Sequence, residues 1–178
     1  MPSSASAKTI AFWPTIGLIA TSDFITKRLA ESQLTLHVPH DVAGGFVRMT
    51  LTYNTGAALN LSLGHFSRVA LSVLAAIMLV VLYRMYRAAA GSDAWQALAL
   101  GLVAGGALGN LLDRIRSARG VVDFIDIGTP GWRFWTFNVA DSGVLVGAVL
   151  LALILLRRPP KPGVASVPAR SGEGQVAS

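Results

Sequence analysis

The sequence is short of charge and contains no cysteine. Only 13% of its 178 residues are Asp, Glu, Lys or Arg, about half the share found in ordinary soluble domains. The absence of cysteine excludes disulfides, thiolate metal sites and a cysteine nucleophile. Hydrophobic residues make up 53% of the chain, and the mean hydropathy is +0.56. These features favour a membrane protein over a soluble domain.

The common nucleophile, metal and nucleotide motifs are also missing. The chain has no G-x-S-x-G elbow, no H-E-x-x-H pair and no P-loop. His37 and His40 lie three residues apart and could in principle hold a metal, but no partner ligand accompanies them. The net charge of +6 suggests nucleic acid first, yet the basic residues are scattered between apolar segments and form no patch interleaved with aromatics. We therefore expect no metal site and no nucleic-acid partner.

Four apolar segments predict helices that cross a membrane. A hydrocarbon core about 30 Å thick needs roughly 20 helical residues, and four segments reach or approach that length. An even number of spans places both termini on the same side. We predict an all-α membrane protein with one four-helix domain over residues 10–158, whose spans are residues 10–30, 69–86, 94–112 and 139–156.

The basic residues suggest which side the termini face. Arg84 and Arg87 flank the end of the second predicted span, next to its short connection to the third, and the positive-inside rule places such a connection in the cytoplasm. Both termini are then cytoplasmic: residues 1–9 as a short N-terminus, and residues 159–178, rich in Pro, Ser, Gly and Ala, as a disordered tail. The last loop on the opposite side opposes this assignment with four arginines: Arg114, Arg116, Arg119 and Arg133.

The two loops opposite the termini predict a small extracytoplasmic β-sheet. Residues 47–53 alternate between apolar and polar positions and end at a turn-prone Asn-Thr-Gly triplet. Residues 121–127 and 132–137 are rich in β-branched and aromatic side chains and flank a Gly-Thr-Pro-Gly turn. We expect this sheet to rest on the membrane surface, with Trp132 and Trp135 as interface anchors.

Carboxylates remain as the groups that could carry chemistry. Ionisable groups at membrane depth are costly and therefore indicate function by default. Asp123 interrupts the apolar run of residues 121–125, where a charge is out of place. Asp126, three positions on, points to the other face of the same strand and is interpreted as a surface residue.

Two other acidic positions have simple structural explanations. Asp141 follows Asn138 by three residues at the start of the last predicted span, which is the spacing of a capping box variant. An acidic residue is favoured there by the helix dipole without any catalytic role. Asp113 and Arg114 end the third predicted span beside Asn110 and share one helical face with it, so they could serve as an ion-pair anchor.

Two facing aspartates can nevertheless hydrolyse a peptide bond. One ionised carboxylate takes a proton from water, while a protonated one donates to the scissile carbonyl. Carboxylates a few ångströms apart do not both ionise easily, so the pair divides into one acid and one base. A strand and a helix start could bring Asp123 and Asp141 together.

Five sequence blocks resemble bacterial lipoprotein signal peptidase, also called signal peptidase II. Their order and spacing match the family from the first predicted span to the fourth. The blocks are Asp23 with Lys27; Tyr53-Asn54-Thr55-Gly56-Ala57-Ala58; Gly105-Gly106-Ala107-Leu108-Gly109-Asn110-Leu111-Leu112-Asp113-Arg114; Val121-Val122-Asp123-Phe124; and Phe137-Asn138-Val139-Ala140-Asp141-Ser142.

The resemblance implies an aspartic endopeptidase with Asp123 and Asp141 as its catalytic dyad. It also implies a bacterial inner-membrane protein with a periplasmic active site and no cofactor. Its substrates would be prolipoproteins cleaved on the N-terminal side of a diacylglyceryl-modified cysteine. Membrane lipid and globomycin-type inhibitors would be its other partners. The residues expected to bind substrate or support the site are Asp23, Lys27, Asn54, Gly56, Asn110, Asp113, Arg114 and Asn138.

The chain departs from the family pattern at two positions. Phe24 stands where many members have Gln, and Leu59 stands where many have Phe. Rival interpretations are a proton-coupled transporter, a presenilin-type peptidase, and a non-catalytic assembly factor. The factor's interface would be the glycines that recur every four residues and let helices approach closely in lipid: Gly101, Gly105 and Gly109 in the third predicted span, and Gly143 and Gly147 in the fourth. The acidic residues gather at one end of the predicted bundle rather than at mid-membrane, and a G-x-G-D signature is absent. None of the three rivals accounts for the five blocks.

Overall fold

The four predicted spans are helical in the computed structural model. It describes residues 6–56 and 66–157, so part of the predicted N-terminus, Ala57, Ala58, Leu59 and the predicted tail lie outside the described residues. Each predicted span lies within one helix, and each helix extends past its span by one to four residues at one or both ends. The helices are α1 (Ala7–Gln33), α2 (Ser67–Ala88), α3 (Ala94–Arg116) and α4 (Val139–Arg157).

Three of the helices in the described ranges are long and apolar enough to cross a membrane. These are α2, α3 and α4. Helix α1 is longer, with 27 residues, but its second half carries Asp23, Lys27 and Arg28. Asp23 and Lys27 are both buried, with 1% exposure each, so they point into the bundle, whereas Arg28 is exposed near the end of the helix.

Helix α3 is the centre of the bundle and packs against the other three helices. Small residues allow the close approach that the glycine spacing predicts. A Cβ on Gly106 would overlap the carbonyl oxygen of Ala140 in α4, and one on Gly101 would lie 2.9 Å from the carbonyl oxygen of Phe12 in α1. Backbones this close need glycine at the contact, as is common where helices meet in lipid.

The end of the bundle that holds the α2–α3 connection is closed by α1. Phe12 stacks on Tyr86 with ring centroids 4.1 Å apart, and both are buried in one apolar cluster with Leu100. The Lys8 ammonium donates to the carbonyls of Tyr86, Arg87 and Ala89 at 3.3, 3.3 and 2.7 Å. A cation at these terminal carbonyls stabilises the end of α2. We call this the connection end.

The opposite end carries a four-stranded antiparallel sheet, and we call it the sheet end. The strand order is β1-β2-β3-β4, so the two loops predicted to share one side do form one sheet. The sheet packs on α1 through a small apolar cluster that includes Ala30, Leu51 and Phe124. The strands are β1 (His40–Ala43), β2 (Val47–Asn54), β3 (Val121–Thr129) and β4 (Trp132–Arg133).

The predicted strands in β2 and β3 are confirmed, but the edges of the sheet differ from the prediction. Strand β1 was not predicted. It is joined to β2 by a turn at Gly44 and Gly45, which both have positive φ (55° and 76°). Strand β4 is shorter than the predicted residues 132–137. Pairing with β3 resumes at Phe137, which bridges Ile125. Between Arg133 and Phe137 the chain therefore has one residue more than the part of β3 that it faces. Such a bulge re-aims side chains.

The interpretation of Asp126 as a surface residue is wrong. Its exposed fraction is 8%, and its carboxylate accepts hydrogen bonds from Arg133 Nε at 2.7 Å and Thr50 Oγ1 at 3.3 Å. Because side chains alternate along β3, Asp126 lies on the other face of the strand from Asp123. That second face is covered because Arg133 folds over it from β4 and also donates to the Gly45 carbonyl.

Candidate active site

Asp123 is the third residue of β3, with only 2% of its surface exposed. The flanking Val122 and Phe124 belong to the apolar cluster beneath the sheet, and this burial explains why a carboxylate here needs polar partners. Asn138 Nδ2 donates to Asp123 Oδ1 at 2.6 Å, and the Asn54 side chain makes a second hydrogen bond. The suspicion raised by a lone charge in an apolar strand thus leads to a buried and amide-held carboxyl group.

The surroundings of Asp123 favour its protonated form. Burial, together with a smaller contribution from the nearby charge of Asp141, raises its pKa from 3.8 to about 7. Hydrogen bonds from Asn54 and Asn138 and the charge of Lys27 oppose the rise without cancelling it. A carboxyl group with such a pKa can hold a proton near neutral pH and donate it.

Asp141 lies in the first turn of α4 and forms the predicted capping box with Asn138. The Asp141 N–H donates to Asn138 Oδ1 at 2.9 Å, and the Asn138 N–H donates to Asp141 Oδ2 at 3.2 Å. The other carboxylate oxygen accepts from Asn110 Nδ2 at 2.7 Å. Two N–H donors and the N-terminal end of α4 therefore surround this carboxyl group.

Two asparagines connect the carboxyl groups. Asn138 is completely buried, and its Nδ2 lies 3.2 Å from Asn110 Oδ1 as well as close to Asp123. Asn110 in turn donates to Asp141. The chain of contacts therefore runs from Asp123 through Asn138 and Asn110 to Asp141, and it fixes the position of both acids from one strand and two helices.

Both carboxyl groups open onto one cavity of about 320 Å³ between the sheet, α3 and α4. One wall is polar, and the other consists of apolar side chains of α4. The lining residues are Asn54, Asn110, Arg114, Val121, Asp123, Trp135, Thr136, Asp141, Val144, Leu145 and Ala148. A peptide and an attached apolar group could therefore meet the two acids in the same space.

The predicted pair Asp23 and Lys27 lies behind this cavity. The Lys27 ammonium is 1% exposed and contacts three acceptors: Asp23 Oδ2 at 2.7 Å, Asp113 Oδ2 at 2.9 Å and Asn110 Oδ1 at 3.0 Å. Asp23 Oδ1 also accepts the Ala140 N–H at 2.9 Å, next to Asp141. A buried cation is tolerated when its donors are matched in this way, and this one ties α1, α3 and α4 together.

Asp113 and Arg114 do not form the ion pair considered for them. Asp113 instead binds Lys27 and Arg116 and accepts the Val122 N–H at 3.2 Å, which ties α3 to β3. Arg114 turns toward the cavity and donates to the Asn110 carbonyl at 3.2 Å and the Gly56 carbonyl at 3.4 Å. Adjacent residues on a helix point in different directions, so each serves a different partner.

Sequence reasoning missed four cavity residues, Thr136, Val144, Leu145 and Ala148, and gave Trp135 a different role. Thr136 lines the cavity and its hydroxyl lies 2.9 Å from that of Thr52 in β2. Trp135 lines the same cavity while remaining 50% exposed. One part of its side chain therefore faces the site, and the other part faces outward, as expected of an interface anchor. The bulge before Phe137 determines where the side chains of Trp135 and Thr136 point. The aromatic sequence around it gives no signal that a bulge is present.

The sequence matches the family model of signal peptidase (SPase) II over residues 15–157. The chain belongs to the signal peptidase II family. It is 38% identical over 148 residues to the lipoprotein signal peptidase of Pseudomonas syringae pv. tomato, covering 82% of this chain and 84% of that protein. It is 39% identical over 153 residues to the lipoprotein signal peptidase of Coxiella burnetii (strain Dugway 5J108-111), covering 83% and 92%.

Solved structures give the same result for the fold. One bacterial membrane enzyme structure aligns with a TM-score of 0.74 at 25% identity, covering 88% of this chain and 99% of that one. A second aligns with a TM-score of 0.70 at 26% identity, covering 92% of each. As a member of the signal peptidase II family, the chain is a membrane protease of the aspartic class.

Proposed function

We propose that this protease removes the signal peptide from prolipoproteins whose lipobox cysteine carries diacylglycerol. It cuts on the N-terminal side of that cysteine, with Asp123 and Asp141 as the catalytic pair. The observation that carries the proposal is the convergence of the two carboxyl groups on one cavity, held by Asn138 and Asn110. The lipoprotein signal peptidases that the chain resembles supply the substrate class.

In the first step, water adds to the scissile carbonyl. Asp141, favoured as the ionised member by its two N–H donors, takes a proton from water as the oxygen attacks the carbonyl carbon. Asp123, kept protonated by burial, donates its proton to the carbonyl oxygen. The product is a tetrahedral diol, with Asp123 now ionised and Asp141 protonated.

In the second step, the diol collapses and the carbon–nitrogen bond breaks. One diol hydroxyl returns a proton to Asp123, and Asp141 gives its proton to the leaving amine, which becomes the N-terminus of the modified cysteine. Both carboxyl groups are then back in their starting states, so no covalent intermediate or cofactor is needed. Asn110 and Asn138 contribute by holding the acids in place through both steps.

The cavity walls suit the two halves of such a substrate. Arg114 and Asn54 offer N–H donors to peptide carbonyls beside the acids. Val144, Leu145 and Ala148 extend the cavity down α4, one of the helices apolar enough to cross the membrane. A diacylglyceryl group would lie along this wall with its chains in the surrounding lipid, and globomycin-type inhibitors would compete for the same space.

We also propose that α1 is the fourth membrane span, which puts both termini in the cytoplasm and the sheet end in the periplasm, next to the inner membrane. Helix α1 is about 40 Å long at 1.5 Å per residue, and its outer face exposes Ile10, Leu18 and Ile25. Because the chain has no cysteine, single-cysteine variants can report the orientation.

Labelling with a membrane-impermeant maleimide tests this orientation in intact cells with a permeabilised outer membrane. Gly131→Cys places a thiol in the β3–β4 turn, where nothing lies within 4 Å of a Cβ. Ala90→Cys places one in the exposed α2–α3 connection. We expect only the Gly131→Cys variant to be labelled before the inner membrane is opened. Labelling of Ala90→Cys alone would reverse the orientation.

Cleavage of a purified prolipoprotein tests the function. The reconstituted protein is given the same precursor with and without the diacylglyceryl group, and the products are weighed by mass spectrometry. We expect one cut, directly before the modified cysteine, and no cut in the unmodified precursor. A cut elsewhere, or equal cleavage of the unmodified precursor, would refute the proposed specificity.

A further inference from the structure

Three arginines meet at the sheet end, beside Glu31 of α1 and Tyr53 of β2. We call Arg28, Arg116 and Arg119 the sheet-end arginine cluster. They come from α1, from the last residue of α3 and from the loop before β3. Their side chains are 44%, 33% and 63% exposed. None of them belongs to the cavity of Asp123 and Asp141.

The cluster is built around two aromatic rings. The guanidinium carbons of Arg28 and Arg116 lie 5.9 and 5.5 Å from the centroid of the same Phe24 ring. The guanidinium carbon of Arg119 lies 4.3 Å from the centroid of Tyr53. Cation–π contacts of this kind hold arginine planes in place, so the positive groups are partly oriented before any ligand arrives.

The acidic partners do not balance the cluster. Arg28 and Arg119 share one carboxylate, that of Glu31, which also accepts from the Tyr53 hydroxyl at 3.0 Å. Arg116 binds Asp113 at 2.7 Å, but Asp113 and Asp23 together also neutralise Lys27. Among these described residues, four cations therefore face three carboxylates, and one positive charge is left at the surface.

Exposed apolar side chains lie directly below the arginines along both helices. Phe24 precedes Arg28 by one turn of α1 and is 48% exposed, and Leu112 precedes Arg116 by one turn of α3 and is 44% exposed. Each helix thus presents an apolar side chain toward the middle of the bundle and a guanidinium at its end. A soluble anion would need only the guanidinium groups, whereas a phospholipid matches both parts.

We propose that the sheet-end arginine cluster binds the phosphate of an anionic phospholipid in the leaflet at the sheet end, with an acyl chain along Phe24 and Leu112. Guanidinium groups bind phosphate oxygens through paired, charge-assisted N–H bonds. An anionic headgroup such as phosphatidylglycerol supplies the missing negative charge, while a zwitterionic one adds a cation to a surface that is already positive. The site is separate from the dyad, so it can be tested without measuring cleavage.

Native mass spectrometry of the detergent-solubilised full chain, titrated with phosphatidylglycerol or phosphatidylcholine, tests the proposal. We expect one molecule of phosphatidylglycerol to bind more tightly than phosphatidylcholine. Arg28→Gln should weaken that binding about tenfold, the loss of roughly one charge-assisted hydrogen bond. Glu31→Gln should strengthen it, because it removes the carboxylate that competes with the phosphate.

A matched control separates this site from general attraction of lipids to arginine. Arg87→Gln removes an exposed arginine at the connection end and should leave the lipid affinity unchanged. Equal losses in Arg28→Gln and Arg87→Gln, or no preference between the two lipids, would overturn the proposal. Displacement of the lipid by millimolar inorganic phosphate would also overturn it, since the cluster would then be a site for free phosphate. If Arg28→Gln does not fold, Arg119→Gln carries the same expectation.

Discussion

Asn138 and Asp141 cap each other at the start of α4, with the side chain of each accepting the backbone N–H of the other at 2.9 and 3.2 Å. The cap does not compete with a catalytic role for Asp141. It uses one carboxylate oxygen, while Asn110 holds the other, so the group is fixed in orientation at the edge of the cavity. The side-chain amide of Asn138 meanwhile reaches Asp123.

Substitutions of Asn138 should separate capping from catalysis. Asn138→Ser keeps an oxygen that can cap α4 but loses the Nδ2 donor to Asp123. Asn138→Ala loses both, and the lost cap costs about 1 kcal/mol. We expect both variants to cleave poorly, with Asn138→Ser unfolding at a higher temperature than Asn138→Ala in detergent. Wild-type cleavage by Asn138→Ser would show that the amide contact to Asp123 is dispensable.

Cleavage should depend on pH through Asp123. Its pKa is raised to about 7, mainly by burial, so the proton that it donates is present below that pH and lost above it. We expect kcat/KM to fall tenfold for each pH step of about one unit above neutrality. Measuring kcat/KM on the lipid-modified precursor from acid to alkaline pH gives the profile. A rate that stays level well above pH 7 would mean that Asp123 is not the proton donor.

The sequence predicts the helices well because each has a local signal. The four apolar segments extend over enough residues to set the helix positions within a few residues of the observed ends. Asp123 is out of place in an apolar strand, and the Asn138–Asp141 spacing predicts a helix start. The resemblance to signal peptidase II, rather than any local pattern, brought those two acids together.

The contacts that build the site lie far apart in the sequence and have no such signal. Lys27 and Asp113 are both within the matching blocks, but their 2.9 Å ion pair depends on how α1 packs against α3. Arg133 covers Asp126 only because a short edge strand folds back over β3. The Gly44-Gly45 pair does carry a hairpin signal, and β1 could have been predicted from it.

Removal of the Lys27 charge should destabilise the protein more than removal of the Lys27 and Asp23 charges together. Lys27→Met leaves Asp23 and Asp113 buried without their cation, at a cost of about 3–5 kcal/mol. Adding Asp23→Asn removes one of the two orphaned charges, and Asp113 retains Arg116. We therefore expect the double variant to express better and unfold at a higher temperature than Lys27→Met. A double variant less stable than the single one would contradict this charge balance.

The approach of α3 to α4 should be sensitive to a single methyl group. A Cβ on Gly106 would overlap the Ala140 carbonyl oxygen, and Ala140 precedes Asp141. We expect Gly106→Ala to lower the unfolding temperature and the cleavage rate together. Gly17→Ala is the matched control, because nothing lies within 4 Å of a Cβ at that helical position, and it should be neutral or slightly stabilising. Similar losses in both variants would rule out this contact as the cause.

The direct test of the account is single-turnover cleavage of the diacylglyceryl-modified precursor by Asp123→Asn and Asp141→Asn, compared with Asp41→Asn. Asp41 is 62% exposed and binds only Arg48 among the described residues, so its variant controls for the loss of one carboxylate. We predict that either dyad variant loses about 10²–10⁴-fold in rate while Asp41→Asn cleaves like the wild type. Cleavage within a few-fold of the wild type by Asp123→Asn or by Asp141→Asn would contradict the two-aspartate mechanism.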